Sequence, residues 1–328
     1  MRGGPAMKTL MAALLLAALW LGGNGAHAQT CTVSMTPITF PNFNPVLGAS
    51  VTQTGTLTAT CTWGLLTPGY ARVCVNLGIG GGSTVQDPRQ MANGVNRLQY
   101  RLSPNSSMSP LWGSAANGST PVIIDLTQPL LGSQATVNQP ITGQILSGQY
   151  TVPTANNATT AYSETFTGVA TFDYGFSILV RPACSSLTTR GSYNFTVRAN
   201  VTNNCTISAS PLNFGSMADF RSARLANTTL AVRCTNNDAY RIRLNGGQNG
   251  TVSQRYLRDA TGTRLVRYDL HTSADRTIPW GDGTAGTAFV TGTGTGNIQQ
   301  VQVYGRVPAQ TAPPPGQYSD VVTATIEF

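Results

Sequence analysis

Apolar and polar residues alternate with a period of two over residues 54–60, 72–77, 240–244 and 321–326, and clusters of Gly, Asn, Pro and Ser lie between these stretches. A period of two sends every second side chain to the same face, so each stretch predicts a short strand with one buried side, bounded by turns. The apolar run at 174–180 and the alternating Phe195, Val197, Ala199 and Val201 predict further strands in the first half. Beyond residue 28 no segment keeps a helical period. The expected fold is all-β, built of immunoglobulin-like β-sandwich modules.

The expected modules number two and stand in tandem, because the chain repeats itself. Cys31-Thr32-Val33-Ser34 opens a stretch that carries Pro37 and Phe40 and closes on Cys61-Thr62; Cys205-Thr206-Ile207-Ser208 opens another with Pro211 and Phe214, closing on Cys234-Thr235. Tyr100-Arg101-Leu102 then corresponds to Tyr268-Asp269-Leu270, Trp112 to Trp280, and Tyr162-Ser163-Glu164 to Tyr318-Ser319-Asp320. Running the last match on brings Phe172 opposite Phe328, each ten residues after its Tyr. The order is kept throughout, as a duplicated module requires. The expected first domain covers 29–192; 193–328 holds a connecting strand and the second domain. Equivalent cysteines should pair alike, Cys31 with Cys61 and Cys205 with Cys234, which leaves Cys74 for Cys184. Each loop of ~30 residues closed in this way contributes about 3.5 kcal/mol in the chain-entropy account.

Composition narrows the chemistry. Charged residues are 10% of the 328, the net charge is +8, the single lysine is Lys8, and the histidines are His27 and His271. Ammonium chemistry and imidazole clusters are therefore nearly excluded, and arginines spread through both halves give no nucleic-acid patch. Arg2 and Lys8 precede an apolar run at 10–21, and Ala26-His27-Ala28 follows. This pattern predicts a cleaved signal peptide over 1–28, too short in its apolar part to span a membrane, and export favours disulfides. No Cys-x-x-Cys or Cys/His cluster suggests a metal, and no cofactor motif is present; the Gly-rich run at 78–83 reads as a tight turn because no helix pattern follows it. Asp125, Glu164 and Asp173 could form a carboxylate pair for glycoside hydrolysis, but Glu164 matches Asp320, which points to a structural place. The chain is not expected to be an enzyme.

The two copies differ at their ends. After Phe172 the first continues through two further apolar stretches; the second has nothing after Phe328, and is expected to lack its final strand and to expose an edge with an apolar groove. Such an edge can accept a strand from another chain. Cys205 follows an alternating strand, whereas Cys31 has only Gln29 and Thr30 before it once the signal is removed, so the chain is expected to accept a strand and not to donate one.

These residues resemble the spore coat protein U family, which includes subunits of archaic, Csu-type chaperone-usher pili. The resemblance covers nearly all of the chain after residue 28 and rests on the openings CTVSMTPITF and CTISASPLNFG, the strand ends TLTATCT and TLAVRCT, the segment VYGRVP, and the ending GQYSDVVTATIEF. It implies incomplete sandwiches, completed first by a periplasmic pilus chaperone and later by the strand of an adjacent pilus subunit at an outer-membrane usher. A two-domain member without a leading strand resembles the tip subunit. The implied protein is secreted through the periplasm to the cell surface, at the pilus tip, where it attaches to an abiotic or host surface. A structural spore, cell coat or matrix protein, self-associating through open sheet edges, is the alternative.

Surface-binding candidates were sought among apolar residues in turn-rich segments of the first copy. Trp63, Leu65 and Leu66 sit where the second copy has Asn236, Asn237 and Asp238, and core packing is the rival role for Trp63 and Leu65. Leu130 and Leu131 fall in a stretch that is longer in the first copy: 49 positions separate Trp112 from Ala161, against 37 from Trp280 to Gln317. Trp112 recurs as Trp280, which favours packing. For the strand-accepting edge the candidates are Val321, Val322, Thr323, Ala324, Thr325 and Ile326.

Overall fold

The computed structural model describes residues 29–64 and 69–328; the expected signal peptide at 1–28, with Leu65 and Leu66, lies outside them. Its first half contains β1 (Thr30–Met35), β2 (Ile38–Thr39), β3 (Val51–Thr62), β4 (Tyr70–Leu77), β5 (Arg89–Asn93), β6 (Asn96–Ser103), β7 (Val122–Thr127), β8 (Gln134–Ile145), β9 (Thr160–Phe166), β10 (Ala170–Ser177), β11 (Thr189–Ser192) and β12 (Phe195–Val201). The second contains β13 (Cys205–Ala209), β14 (Arg224–Cys234), β15 (Ala239–Leu244), β16 (Arg255–Asp259), β17 (Leu265–His271), β18 (Val290–Thr293), β19 (Gln299–Val307), β20 (Tyr318–Ser319) and β21 (Ala324–Glu327). The regular structure of the described residues is thus nearly all β, in two sandwiches. Along β9 and β12 burial alternates strictly enough that one face of each strand forms core.

In the first module a sheet ordered β1-β3-β8-β6-β5-β9-β12-β2 packs on a sheet ordered β11-β10-β4-β7; in the second, β13-β14-β19-β17-β16-β20 packs on β18-β15-β21. The two are built alike. Trp112 and Trp280 are buried, and each indole N–H donates 3.0 Å to a carbonyl of the opposite sheet, that of Val75 or Ile242. Arg89 and Arg255, also buried, give their guanidinium protons to main-chain carbonyls, among them those of Trp112 and Trp280. Burial lowers the pKa of both arginines, and these carbonyls satisfy groups that would otherwise be costly to bury. The disulfides join Cys31 to Cys61, Cys74 to Cys184 and Cys205 to Cys234, and the first and last link residues directly opposite in antiparallel ladders.

Three details depart from the sequence expectation. Phe172 lies opposite Val75, and it is Ile326 that lies opposite the corresponding Ile242. Phe328 therefore corresponds to Tyr174, because the crossing from one sheet to the other is two residues shorter in the second module. Next, β10 stops at Ser177, so residues 178–180 are not strand. Finally, the extra length of the first module is split. Ladder positions Val137 and Gln299 correspond, so about half falls in the β7–β8 loop with Leu130 and Leu131, and half between β8 and β9.

That second portion joins the modules. Asn157 exchanges hydrogen bonds with both main-chain groups of Ala239, at 2.7 and 3.0 Å, Asn236 donates to the Thr151 carbonyl, and the Thr154 hydroxyl donates 2.5 Å to the buried Asp238. Arg233 lies over the Tyr150 ring. Only three residues separate β12 from β13, and Asn203 and Asn204 are both hydrogen-bonded.

Candidate functional sites: an unfilled groove and an apolar end

Among the described residues three strands of the first module, β2, β11 and β12, have no counterpart in the second, and of these β12 is the one whose apolar residues close the core. It runs antiparallel to β9, Phe195 opposite Phe166 and Val201 opposite Thr160, and parallel to β2, Val197 opposite Ile38. Its inward residues Phe195, Val197, Ala199 and Val201 are buried, with Phe195 stacked 4.6 Å from Phe166 and 5.9 Å from Trp112. Beneath it Ile38, Phe40, Leu57, Leu77, Met91 and Leu102 are 0–3% exposed.

Among the described residues of the second module no strand occupies this position, between β20 and the segment carrying Leu212. A cavity of about 450 Å³ lies there instead, lined by the counterparts of those six residues: Leu212, Phe214, Leu230, Leu244, Leu257 and Leu270. A second recess of about 820 Å³ shares Leu212, Phe214 and Leu257 with it and reaches Met217 and Gly316. These two correspond to Phe43 and Thr160, which flank the end of β12 at Val201, so the recesses together trace the path of a strand.

Of the edge candidates, Val321, Val322 and Ala324 line the cavity, and Thr323, Thr325 and Ile326 do not. Ala324, Thr325 and Ile326 belong to β21, which pairs with β15; Val321, Val322 and Thr323 precede it without strand structure. Val322, Ala324 and Ile326 pack on the core, and Val321 is 58% exposed. Asp320, at the groove mouth, accepts from the Tyr268 hydroxyl at 2.6 Å. Glu164 accepts in the same way from Tyr100. Burial raises the Glu164 pKa against the opposing hydrogen bonds from Ser83 and Tyr100, and Tyr268 is raised by burial first and by Asp320 second.

The surface-binding candidates separate. Trp63 is 1% exposed and packs edge-on against Phe176, centroids 5.6 Å apart, so its place is the core: an indole next to the end of β3 has an apolar floor within reach. Leu130 and Leu131 are 104% and 93% exposed. Ile178, Leu179 and Val180, at 71%, 86% and 79%, join them, because Arg181 beyond them reaches Thr127 and Asp125 at the base of the β7–β8 loop. The sequence signal for these three was present but reads equally well as strand; it is the Cys74–Cys184 bridge and the Arg72 bond to the Pro182 carbonyl that bring the chain back after Val180. This end lies opposite the Ile145–Val51 end of the long ladder, from which the contacts to the second module depart.

The three carboxylates each have their own partners, that of Glu164 being Tyr100. Asp125 is bound bidentately by Arg72, whose hydrogen bond lowers its pKa; Asp173 is bonded to Arg190 and Asn76. His271 is buried, which lowers its pKa. Among the described residues no helix is long and apolar enough to cross a membrane, and no group of His, Cys, Asp and Glu could hold a metal ion.

Three comparisons bear on these two sites. A curated relative, Protein U of Myxococcus xanthus, is 40% identical over 82 residues, 25% of this chain and 45% of its own length. The chain thus spans less than half of that relative. The chaperone–tip adhesion subunit pre-assembly complex of archaic chaperone-usher Csu pili from Acinetobacter baumannii has a similar fold, with a TM-score of 0.51 and 15% identity, covering 91% of this chain and 100% of that one. The CupB6 tip adhesin of Pseudomonas aeruginosa aligns over 90% of this chain and 93% of its own at 11% identity and a TM-score of 0.38. The family model of the Spore Coat Protein U domain matches residues 23–168 and again 192–325, once for each sandwich, and the chain belongs to that family.

Proposed function

We propose that this protein is the tip subunit of a chaperone-usher pilus. The first module makes contact with a surface, and the second is completed by a strand from a partner, first a periplasmic chaperone and then the adjacent subunit. The observation that carries this reading is the groove. It has the length, apolar lining and flanking edges of the site that β12 fills in the first module, so its fitting occupant is an extended segment with apolar residues at alternate positions. The similarity of fold to a chaperone-bound tip subunit supports the same reading. The work of such a protein is non-enzymatic, and its route is through the periplasm to the cell surface.

Surface contact falls to Leu130, Leu131, Ile178, Leu179 and Val180, an exposed apolar cluster at the end away from the second module. An apolar surface, abiotic or biological, fits it best. The test is the triple substitution Leu130→Ser, Leu131→Ser and Leu179→Ser, scored as attachment of pilus-bearing cells to polystyrene. Attachment should fall at least severalfold while filament number and protein stability stay unchanged, because the three side chains bury almost nothing; unchanged attachment removes this end from the contact. A coat or matrix role through the same open edge is the second reading, favoured by the match to the Spore Coat Protein U domain. Recovery of the protein from spore or cyst coats, with no filament dependent on an usher, would replace the first reading by it.

A further inference from the structure

The two modules display one sheet edge in two states, with β12 beside it in the first and no such strand among the described residues of the second, and one main-chain amide next to that edge differs between them. In the filled module the N–H of Gly81 donates 3.1 Å to the carbonyl of Thr165, and that of Gly78 donates 2.9 Å to the carbonyl of Val169, while β9 itself pairs over its full seven residues with β12. The second module keeps the counterpart of the Gly78 bond, from Asn245 N–H to the Thr323 carbonyl at 3.1 Å. It does not keep the other. Gln248, which stands where Gly81 stands, gives its N–H to the side chain of Asp320 at 2.9 Å instead of to the carbonyl of Val321. β20 ends at Ser319, and residues 320–323, which have no counterpart of β12 beside them, carry no ladder.

Asp320 is seated for this role from several directions. One oxygen takes Gln248 N–H and the Asn249 amide at 3.1 Å, and the other takes the Tyr268 hydroxyl. Gly247 supplies the room, since a Cβ there would come within 2.0 Å of the carboxylate. Thr323, at the far end of the irregular stretch, is tied by its N–H to the Asn245 side chain at 2.9 Å. In the filled module Glu164 keeps the tyrosine bond, and its close glycine is Gly80, but the Gly81 amide belongs to the main chain.

We propose that Asp320 is a latch on the strand-accepting edge: in the open module it holds the Gln248 amide, and as a strand enters the groove and β20 lengthens along it to match β9, Asp320 yields that amide to the Val321 carbonyl. The bond to Tyr268 persists in both states, as the one to Tyr100 does beside Glu164. Asp320 is therefore a positioning residue that stabilises the open state by a charge-assisted bond the filled state does not use. The inference rests on the reading that the groove accepts a strand.

The test uses the full chain after residue 28 and a fluorescent synthetic peptide copying residues 193–202, the segment seated in the first module. Asp320→Ala should bind the peptide roughly tenfold more tightly than the unsubstituted protein, the worth of one charge-assisted bond. Asp320→Asn, which keeps a weaker acceptor, should fall between. Tyr268→Phe removes a bond common to both states and should leave the affinity within about twofold. Hydrogen exchange at Gln248 should be faster in unoccupied Asp320→Ala and equal in the two proteins once the peptide is bound. Equal or weaker binding by Asp320→Ala, or unchanged Gln248 exchange without peptide, overturns the latch alone. An unsubstituted protein that takes no peptide overturns strand acceptance, and the latch with it.

Discussion

The first module keeps its sixfold apolar floor covered and the second leaves the same floor open, although the two are built from matching strands, matching disulfides and matching tryptophan and arginine anchors. In the first, Phe195, Val197, Ala199 and Val201 lie over Ile38, Phe40, Leu57, Leu77, Met91 and Leu102. In the second, the equivalent leucines and Phe214 border empty recesses of about 450 and 820 Å³. The difference teaches that one absent strand can leave the core open while most of the remaining ladders form; β20, the neighbour of the open site, is shortened to two residues where β9 has seven. It also explains why the modules are joined as they are. β12 completes the first module and leads within three residues into the second, so the chain uses as a structural member in one copy what it leaves as a site in the other.

Appending a copy of residues 193–202 through a flexible linker after Phe328 should make the second module resemble the first. Burying four alternate apolar side chains in the groove is expected to stabilise that module by about 5 kcal/mol after the cost of ordering the strand, read as a higher denaturant midpoint of its unfolding transition. No change would mean that the groove does not take a strand in this register. The converse substitution, Phe195→Ala, removes a ring that is 4% exposed and stacked on Phe166 and Trp112. It should cost the first module about 4 kcal/mol and leave the transition of the second in place. Equal losses in both would show that the modules unfold as one unit.

The smallest effect concerns the contact between the modules. Asp238 is buried, its second oxygen has no hydrogen-bond partner among the described residues, and burial raises its pKa while the Thr154 hydroxyl opposes the shift. A carboxyl whose folded value is raised takes up its proton more readily in the folded protein than in the unfolded chain. Its unfavourable contribution is therefore fully present at neutral pH and is relieved as pH falls through the raised value toward the ordinary carboxylate value of about 3.9. The unfolding midpoint is expected to gain a small increment over that window, and Asp238→Asn should remove it.

Much of this was written in the chain. The alternation at 54–60, 72–77 and 240–244 locates β3, β4 and β15, because a half-buried strand imposes a period of two on its own residues, and the duplicated cysteine spacings carry the pairings, because each short bridge closes a local ladder. Glu164 and Asp320 could be matched from the Tyr-Ser-acid pattern alone. What failed were statements about exposure and register. Trp63 and Leu130 are both apolar residues beside turns, yet one is core and the other fully exposed, since the outcome depends on whether Phe176 of a distant strand lies beneath. Phe172 and Phe328 looked equivalent, yet a two-residue shortening between sheets moves the match to Ile326.

The sequence by itself determined the fold class, the duplication, the two repeated cysteine pairs, which left Cys74 for Cys184, and the presence of apolar segments in turns, and it did so through local patterns or patterns repeated within the chain. Only the tertiary structure decided that β12 fills the first groove, that residues 178–180 join Leu130 and Leu131 at one end, and that Asp320 competes with the main chain for the Gln248 amide. Each of these brings together residues far apart in sequence, and such contacts are set by how sheets pack and cross, which leaves no periodic mark on the chain.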